Sequence, residues 1–274
     1  MVSNNARADI SPPQVIGHRG AAACAPENTL AGFRVAKSLN CRWVEFDVRL
    51  TADGHPILLH DDRLQRTTDG RGKVGALSLA AVRRHDAGAW FDRSFTGQRV
   101  PTLQEALTLL AELGLGANAE LKAARGREAE TGAVVADLLV RRWPRERLGL
   151  LISSFQLAAL AAAGARAPAI ARGILFRALP KNWRSVAERL GCSTIHADHE
   201  RLCPALVTAV REAGYPLLAY TVNDIKRADT LFAWGVTSVF SDAPQRLRGA
   251  ATQGRLQPAG PDISFAGMRR RGSV

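Results

Sequence analysis

The 274-residue chain is 46% hydrophobic and 23% charged, ordinary proportions for a globular protein and unlike those of a disordered one. No apolar run approaches the roughly 20 residues that a membrane-spanning helix needs, so insertion into a bilayer is not expected. The formal net charge of +12 raises nucleic acid as a partner, but six arginines and one aspartate between Arg246 and Val274 supply much of it, and the remainder is interspersed with acidic residues.

Residues 1–14 are polar, contain two prolines and lack the apolar core of a secretory leader. The cysteines Cys24, Cys41, Cys192 and Cys203 show no closely spaced pair, so neither a zinc knuckle nor a redox motif is expected. Free thiols and the missing leader together predict a cytoplasmic protein.

From Val15 onward, short apolar runs alternate with helical ones, the pattern of repeated βα units around a parallel sheet. Strands are predicted over residues 15–18, 43–50, 116–122, 148–153, 169–175, 194–197, 216–222 and 237–241, with helices over 29–39, 103–113, 128–142, 156–163, 183–190, 205–212 and 225–234. Gly114, Gly164, Gly191, Gly214 and Gly235 each follow an apolar-periodic stretch and read as helix stops. Eight such strands predict a TIM-like (β/α)8 barrel over 15–248, since one barrel commonly uses about 250 residues. The alternative, an open doubly wound sheet, would ordinarily carry a Gly-rich turn after its first strand, and this chain has none.

One interval breaks the rhythm. Residues 61–100 are too long for an ordinary βα loop and hold Leu77, Leu79, Val82, Trp90, Phe91 and Phe95. They are predicted to form a small insertion subdomain after strand two, packed over the barrel mouth. Residues 249–274, rich in Gly, Pro, Ala and Arg, read as a basic disordered tail.

Catalytic groups of such barrels sit at the C-terminal ends of strands, which directs attention to four clusters. Strand two, Trp43-Val44-Glu45-Phe46-Asp47-Val48, puts Glu45 and Asp47 on one face, because strand side chains alternate. Two buried like charges need a cation, a shared proton or a basic partner. Strand one ends in His18-Arg19-Gly20, His60 follows strand two, and Glu120-Leu121-Lys122 ends the third predicted strand. Glu45, Asp47 and Glu120 would make an all-oxygen site suited to Mg²⁺ or Ca²⁺ rather than zinc or copper. Ion pairing of the carboxylates with Lys122 and Arg19 is the plainer alternative. Arg19 and Lys122 beside a cation would complement a phosphate, with His18 and His60 as candidate general acid and base. His85 and His196 read as satisfied polar residues, His199 as exposed, and Thr29 as a helix cap.

His18-Arg19-Gly20, Pro26-Glu27-Asn28-Thr29, Glu45-Phe46-Asp47, His60-Asp61 and Glu120-Leu121-Lys122 together resemble the glycerophosphodiester phosphodiesterase family, in its bacterial cytoplasmic branch. Ser153-Ser154-Phe155, Tyr220-Thr221-Val222-Asn223 and Ser241-Asp242-Ala243-Pro244 extend the likeness to nearly the whole barrel. The resemblance implies a barrel with an insertion and one divalent cation, Mg²⁺ or Ca²⁺, on Glu45, Asp47 and Glu120. It also implies His18 and His60 as the acid/base pair, Arg19 and Lys122 on the phosphate, and Tyr220 and Asn223 lining the pocket. Tyr220 stands where many relatives have tryptophan. The implied reaction is hydrolysis of small-molecule glycerophosphodiesters, such as glycerophosphocholine or glycerophosphoethanolamine, to glycerol 3-phosphate and an alcohol. Two rivals are a phospholipase D-like lyase, whose members tend to be secreted, disulfide-bonded and without the insertion, and a non-catalytic basic protein that binds nucleic acid.

Overall fold

A computed structural model describes residues 8, 10–144 and 148–247. The predicted tail, residues 249–274, and most of the polar N-terminal segment lie outside these residues.

Among the described residues, nine strands form a single sheet: β1 (Val15–Gly17), β2 (Trp43–Leu50), β3 (Pro56–Leu58), β4 (Gly116–Leu121), β5 (Leu150–Ser154), β6 (Ala171–Phe176), β7 (Thr194–Asp198), β8 (Leu217–Tyr220) and β9 (Ser238–Ser241). Their order is β1-β9-β8-β7-β6-β5-β4-β2-β3. Every pairing except β2–β3 is parallel, and β1 also pairs with β2 through Gly17 and Val44, which closes eight strands into a ring. This is the (β/α)8 barrel, and closure disposes of the open-sheet alternative. Each predicted strand agrees with an observed one to within a residue or two at its ends. The strand that the sequence pattern does not predict is β3, which runs antiparallel to β2 outside the ring, with Val48 opposite Leu58.

The helices are α1 (Leu30–Ser38), α2 (Leu79–Val82), α3 (Leu103–Leu113), α4 (Glu128–Arg142), α5 (Leu157–Arg166), α6 (Trp183–Arg189), α7 (Pro204–Glu212) and α8 (Ile225–Trp234). Four of them, α1, α2, α3 and α8, start at side-chain caps. The Thr29 hydroxyl accepts from the Gly32 amide at 3.0 Å, and Thr102 and Glu105 form a reciprocal capping box at α3. Gly114 and Gly235 end α3 and α8 in the left-handed region, as expected of helix stops. Gly164 does not behave that way. It lies inside α5, where a Cβ would sit 3.0 Å from Nε of Arg172, so the glycine admits a guanidinium instead of ending the helix. Among the described residues, no helix is long and apolar enough to cross a membrane.

The alternation read in β2 holds in three dimensions. Val44, Phe46 and Val48 join Leu107, Leu110, Val135 and Leu139 in the main core between barrel and helices. The opposite parity faces inward: Ile16, Trp43, Leu151, Ala171, Leu218 and Phe240 come from six different strands yet pack together, which only a closed barrel permits. Ala8 and Ile10 pack against this plug. Trp43 fits because its neighbours lack side chains; a Cβ on Gly116 would lie 2.3 Å from the Trp43 Nε1, and one on Gly149 would lie 2.2 Å from its Cζ2. Two residues along the same faces, Ile16 leads to His18, Trp43 to Glu45 and Leu218 to Tyr220. The apolar plug thus supports the polar end of the barrel.

Residues 61–100 carry a second apolar cluster, in which Leu64, Val74, Val82, Ala87 and Val100 bury themselves with Ile57 and Leu59, and Leu77 and Leu79 pack alongside. The aromatic residues expected to fill this cluster lie outside it. Trp90 is exposed and stacks edge-on with Phe91, which in turn meets Phe95, at centroid distances of 5.8 and 5.7 Å. These rings sit around a 3₁₀ turn, Arg93–Phe95, that has no apolar face to turn inward.

Candidate active site

At the C-terminal ends of β2 and β4, the ring register sets Asp47 opposite Glu120, with Glu45 two residues behind Asp47 on the same face. All three carboxylates are buried. One oxygen from each lies within 4.8 Å of the others.

The protein holds part of each carboxylate in place. Glu45 Oε2 accepts the backbone N–H of Arg19 at 2.9 Å. Asp47 Oδ2 accepts from Asn28 Nδ2 at 2.8 Å and lies 3.2 Å from Arg19 Nε, while the Asp47 amide donates to Asn28 Oδ1 at 3.0 Å. Asn28, part of the Pro26-Glu27-Asn28-Thr29 motif, is therefore a clamp on Asp47. Glu45 Oε1 is buried without a hydrogen-bond partner, whereas Lys122 Nζ stands 2.6 Å from Glu120 Oε1 and 3.4 Å from Asp47 Oδ1. A buried carboxylate oxygen without a partner is costly, and an all-oxygen donor set is what a hard divalent cation takes. These three residues fit such an ion. The ion pairs of Asp47 with Arg19 and Lys122 also exist, so the two readings of the strand-two carboxylates coexist in one cluster.

Electrostatics divide the carboxylates. Burial, reinforced by Asp47, pushes the Glu45 carboxyl well above the usual range. Burial also raises Asp47, but the Lys122 and Arg19 charges outweigh it and hold this carboxyl low. Glu120 is raised by burial and only partly relieved by Lys122. A bound cation would relieve all three.

His18 and His60 both reach this cluster through loops that follow strands. His18 Nδ1 lies 2.6 Å from Asp242 Oδ1, and His60 Nδ1 lies 2.7 Å from Asp61 Oδ1. A carboxylate can only accept, so each Nδ1 carries the proton and each Nε2 is left to face the site; His18 Nε2 is 3.8 Å from Glu45 Oε2. The two rings differ. Burial lowers His18, but the Asp242 hydrogen bond and Glu45 outweigh it and raise the imidazole above its ordinary value. Burial lowers His60 and the nearby Asp47 charge does not restore it. Arg49 steadies the same region by donating to the carbonyl oxygens of His60 and Lys122 at 2.8 and 3.0 Å.

His18, Arg19, Glu45, His60, Glu120, Lys122 and Tyr220 line one cavity of about 190 Å³ together with Asn118, Phe155, Leu175, His196, Thr221 and Phe240. The Tyr220 hydroxyl donates to the Phe176 carbonyl at 2.9 Å, so Tyr220 offers the cavity its ring, edge-on to Phe155. Asn223 lies beside this cavity, in a hollow of about 410 Å³ that shares His18 and Arg19 with it and also holds Glu27 and Asp242. Its Nδ2 donates to Asp242 Oδ2 at 2.8 Å while its Oδ1 accepts the Asp242 amide at 2.8 Å.

Several residues in or near the cavity have surroundings that the sequence reading does not assign. Asn118 was findable, since it alternates with Glu120 on an inward face. Asp61 and Asp242 lie inside the quoted motifs, but nothing local announces that they hold histidines. His196, read as a satisfied polar residue, has Nε2 2.9 Å from Thr194 Oγ1 and an unpartnered Nδ1, and burial depresses its pKa to about 3. His199, expected to be exposed, is partly buried and takes Nδ1 3.2 Å from Arg227 Nε.

A closed (β/α)8 barrel with an acidic cluster, two carboxylate-held histidines and two cations at one mouth is equipped for hydrolysis of phosphoric diesters. The glycerophosphoryl diester phosphodiesterase family matches residues 18–246. A glycerophosphodiester phosphodiesterase of Caldanaerobacter subterraneus subsp. tengcongensis is 31% identical over 236 residues, covering 85% of this chain and 95% of the relative. Among solved structures, an Oleispira antarctica phosphodiesterase in complex with the product sn-glycerol-3-phosphate superposes with a TM-score of 0.85 at 42% identity, over 88% of this chain and 97% of that one. A glycerophosphodiester phosphodiesterase from Agrobacterium tumefaciens gives 0.71 at 30% identity, over 87% and 99%. The chain belongs to the glycerophosphoryl diester phosphodiesterase family and is an enzyme of that class, a phosphoric diester hydrolase.

Proposed function

We propose that the enzyme cleaves glycerophosphodiesters such as glycerophosphocholine and glycerophosphoethanolamine, the deacylated forms of phospholipids, into glycerol 3-phosphate and an alcohol, in the cytoplasm. The observation that carries this reading is the convergence of Glu45, Asp47 and Glu120, whose oxygens lie within 4.8 Å of one another, beside a cavity lined by Glu45, Glu120, His18, His60, Arg19 and Lys122. The product bound to the Oleispira relative supports the same substrate class. At about 190 Å³ the cavity is smaller than the roughly 300 Å³ at which drug-sized sites begin, and suits a small polyol phosphate.

Glu45, Asp47 and Glu120 would hold one divalent cation, Mg²⁺ or Ca²⁺, which supplies Lewis-acid polarisation of the phosphoryl oxygens. Arg19 and Lys122 neutralise the phosphate and favour the added charge of the transition state. Of the two histidines, one takes the proton from the attacking oxygen. The other protonates the departing alkoxide, which is a poor leaving group without that proton. Asp242 and Asp61 keep both rings turned with Nε2 toward the substrate. The Tyr220 and Phe155 rings form an apolar wall against the carbon chain. Asn223 serves through Asp242.

Incubation of the purified protein with a panel of glycerophosphodiesters, with and without EDTA, and identification of both products tests the reading. Glycerol 3-phosphate and the free alcohol are expected, with activity lost in chelator and restored by Mg²⁺ or Ca²⁺. Full turnover in excess chelator sinks the cation, and inertness toward the whole panel sinks the substrate class.

A further inference from the structure

Arg66 belongs to residues 61–100, lies outside the cavity lining and is 43% exposed, yet it makes the densest set of ionic hydrogen bonds near the site. Its Nη1 and Nη2 donate to Glu27 Oε2 and Oε1 at 2.7 and 2.8 Å. Its Nε and Nη2 also donate to Asp61 Oδ2 and Oδ1 at 2.7 and 3.1 Å. Both carboxylates continue inward. Glu27 Oε1 accepts from Arg19 Nη1 at 3.0 Å, and Asp61 Oδ1 lies 2.7 Å from His60 Nδ1.

We infer that Arg66 is a positioning residue through which the insertion segment fixes the Arg19 guanidinium and the His60 ring together. A planar guanidinium with five donors can grip two carboxylates at once in fixed directions, which no other side chain does. Without it, Glu27 keeps only Arg19 and Asp61 keeps only His60, so each inner pair is free to swing on its own loop. Arg66 is itself held. Leu64 is buried in the second apolar cluster, its amide donates to the Gly72 carbonyl at 3.1 Å, and buried Thr68 donates to the Leu64 carbonyl at 2.8 Å. The fork is thus presented from a packed turn, and the folded insertion has a direct mechanical link to the chemistry.

The inference rests on the proposed roles of Arg19 and His60, and the test separates the two. Wild-type inertness on glycerophosphodiesters, or wild-type turnover by His60→Ala, removes the underlying reading. Given both, Arg66→Ala is expected to lower kcat/KM by about 10- to 100-fold, the scale of ångström misplacement of reacting groups, with KM raised through Arg19 and kcat lowered through His60. Glu27→Gln should reproduce mainly the KM part and Asp61→Asn mainly the kcat part. Arg66→Lys should recover only a fraction, because an ammonium cannot bridge both carboxylates in plane, and millimolar guanidinium or methylguanidine should partly rescue Arg66→Ala. Kinetic constants within about twofold of wild type for Arg66→Ala overturn the inference. A loss that merely follows the folded fraction in a thermal melt, with no guanidinium rescue, overturns it as well.

Discussion

The Nδ1 atom of His18 lies 2.6 Å from Oδ1 of Asp242, a residue 224 positions further along the chain. The pair forms because β1 and β9 are neighbours in the ring, with Gly17 opposite Ser241. Asn223 completes it by holding both the Asp242 carboxylate and its amide. His18→Ala and His60→Ala are each expected to lower kcat by roughly 10²-fold or more. Asp242→Ala should cost a smaller factor, about tenfold, with KM close to wild type, because it removes the orientation of a ring and no substrate contact. A ring ¹⁵N spectrum of His18 that keeps its Nδ1–H tautomer in Asp242→Ala would contradict this.

Asp47→Asn tests the acidic cluster. The amide removes one negative charge from the three carboxylates and one ionic partner from Arg19 and Lys122. Mg²⁺ or Ca²⁺ affinity by titration calorimetry and kcat/KM should fall together, by about an order of magnitude or more, since ligand charge sets the affinity of oxygen sites. A variant with a shifted melting point but unchanged metal affinity would return Asp47 to a purely ion-paired role.

His196 gives a prediction about acid stability. Burial depresses its pKa to about 3, so between there and the ordinary value of 6.5 the unfolded chain takes up a proton that the folded chain refuses. Stability therefore rises with pH through this window and is lost as pH falls below 6.5, at a limiting slope of about 1.4 kcal/mol per pH unit from this one group. Urea unfolding at pH values from 4 to 7 should show a shallower slope for His196→Gln than for wild type. Equal slopes would show that the histidine is not what makes acid destabilising.

Gly116 sits against the Trp43 indole, and a Cβ there would come within 2.3 Å of Nε1. Gly116→Ala should destabilise the barrel by about 1–3 kcal/mol through overpacking, read as a lower urea midpoint. Shortening the indole as well, in Trp43→Leu/Gly116→Ala, should relieve much of the clash that Gly116→Ala causes alone. Strict additivity of the two single changes would show that the residues do not share that space.

What the sequence discloses and what it hides follow from the range of each interaction. Glu45 and Asp47 were readable as a pair because two-residue alternation is local, and the apolar residues between them had to face the helices. Glu120 followed from the same rule applied to the next barrel strand. The Asp242 partner of His18 was not readable, since a contact between residues 18 and 242 exists only once the ring closes. Asn223 was expected in the pocket from its motif, and it lines the adjoining hollow, where its amide also engages Asp242 and Ser241. Residues 61–100 misled for another reason. Without a repeating period there is no rule for which apolar residues turn inward, so the small aliphatic side chains took the interior and Trp90, Phe91 and Phe95 stacked outside.

The β1–β9 seam also joins the earliest and latest parts of the site in chain order. Of the parts brought to the mouth, His18 is made early and Asp242 nearly last, and three-residue β1 is held along its length by β9. A ribosome that has released residues 1–220 has produced every other charged group of the centre, yet the first histidine still has no carboxylate to orient it and its strand has no neighbour on that side. The His18–Asp242 pair is thus incomplete until the last strand of the ring joins the first.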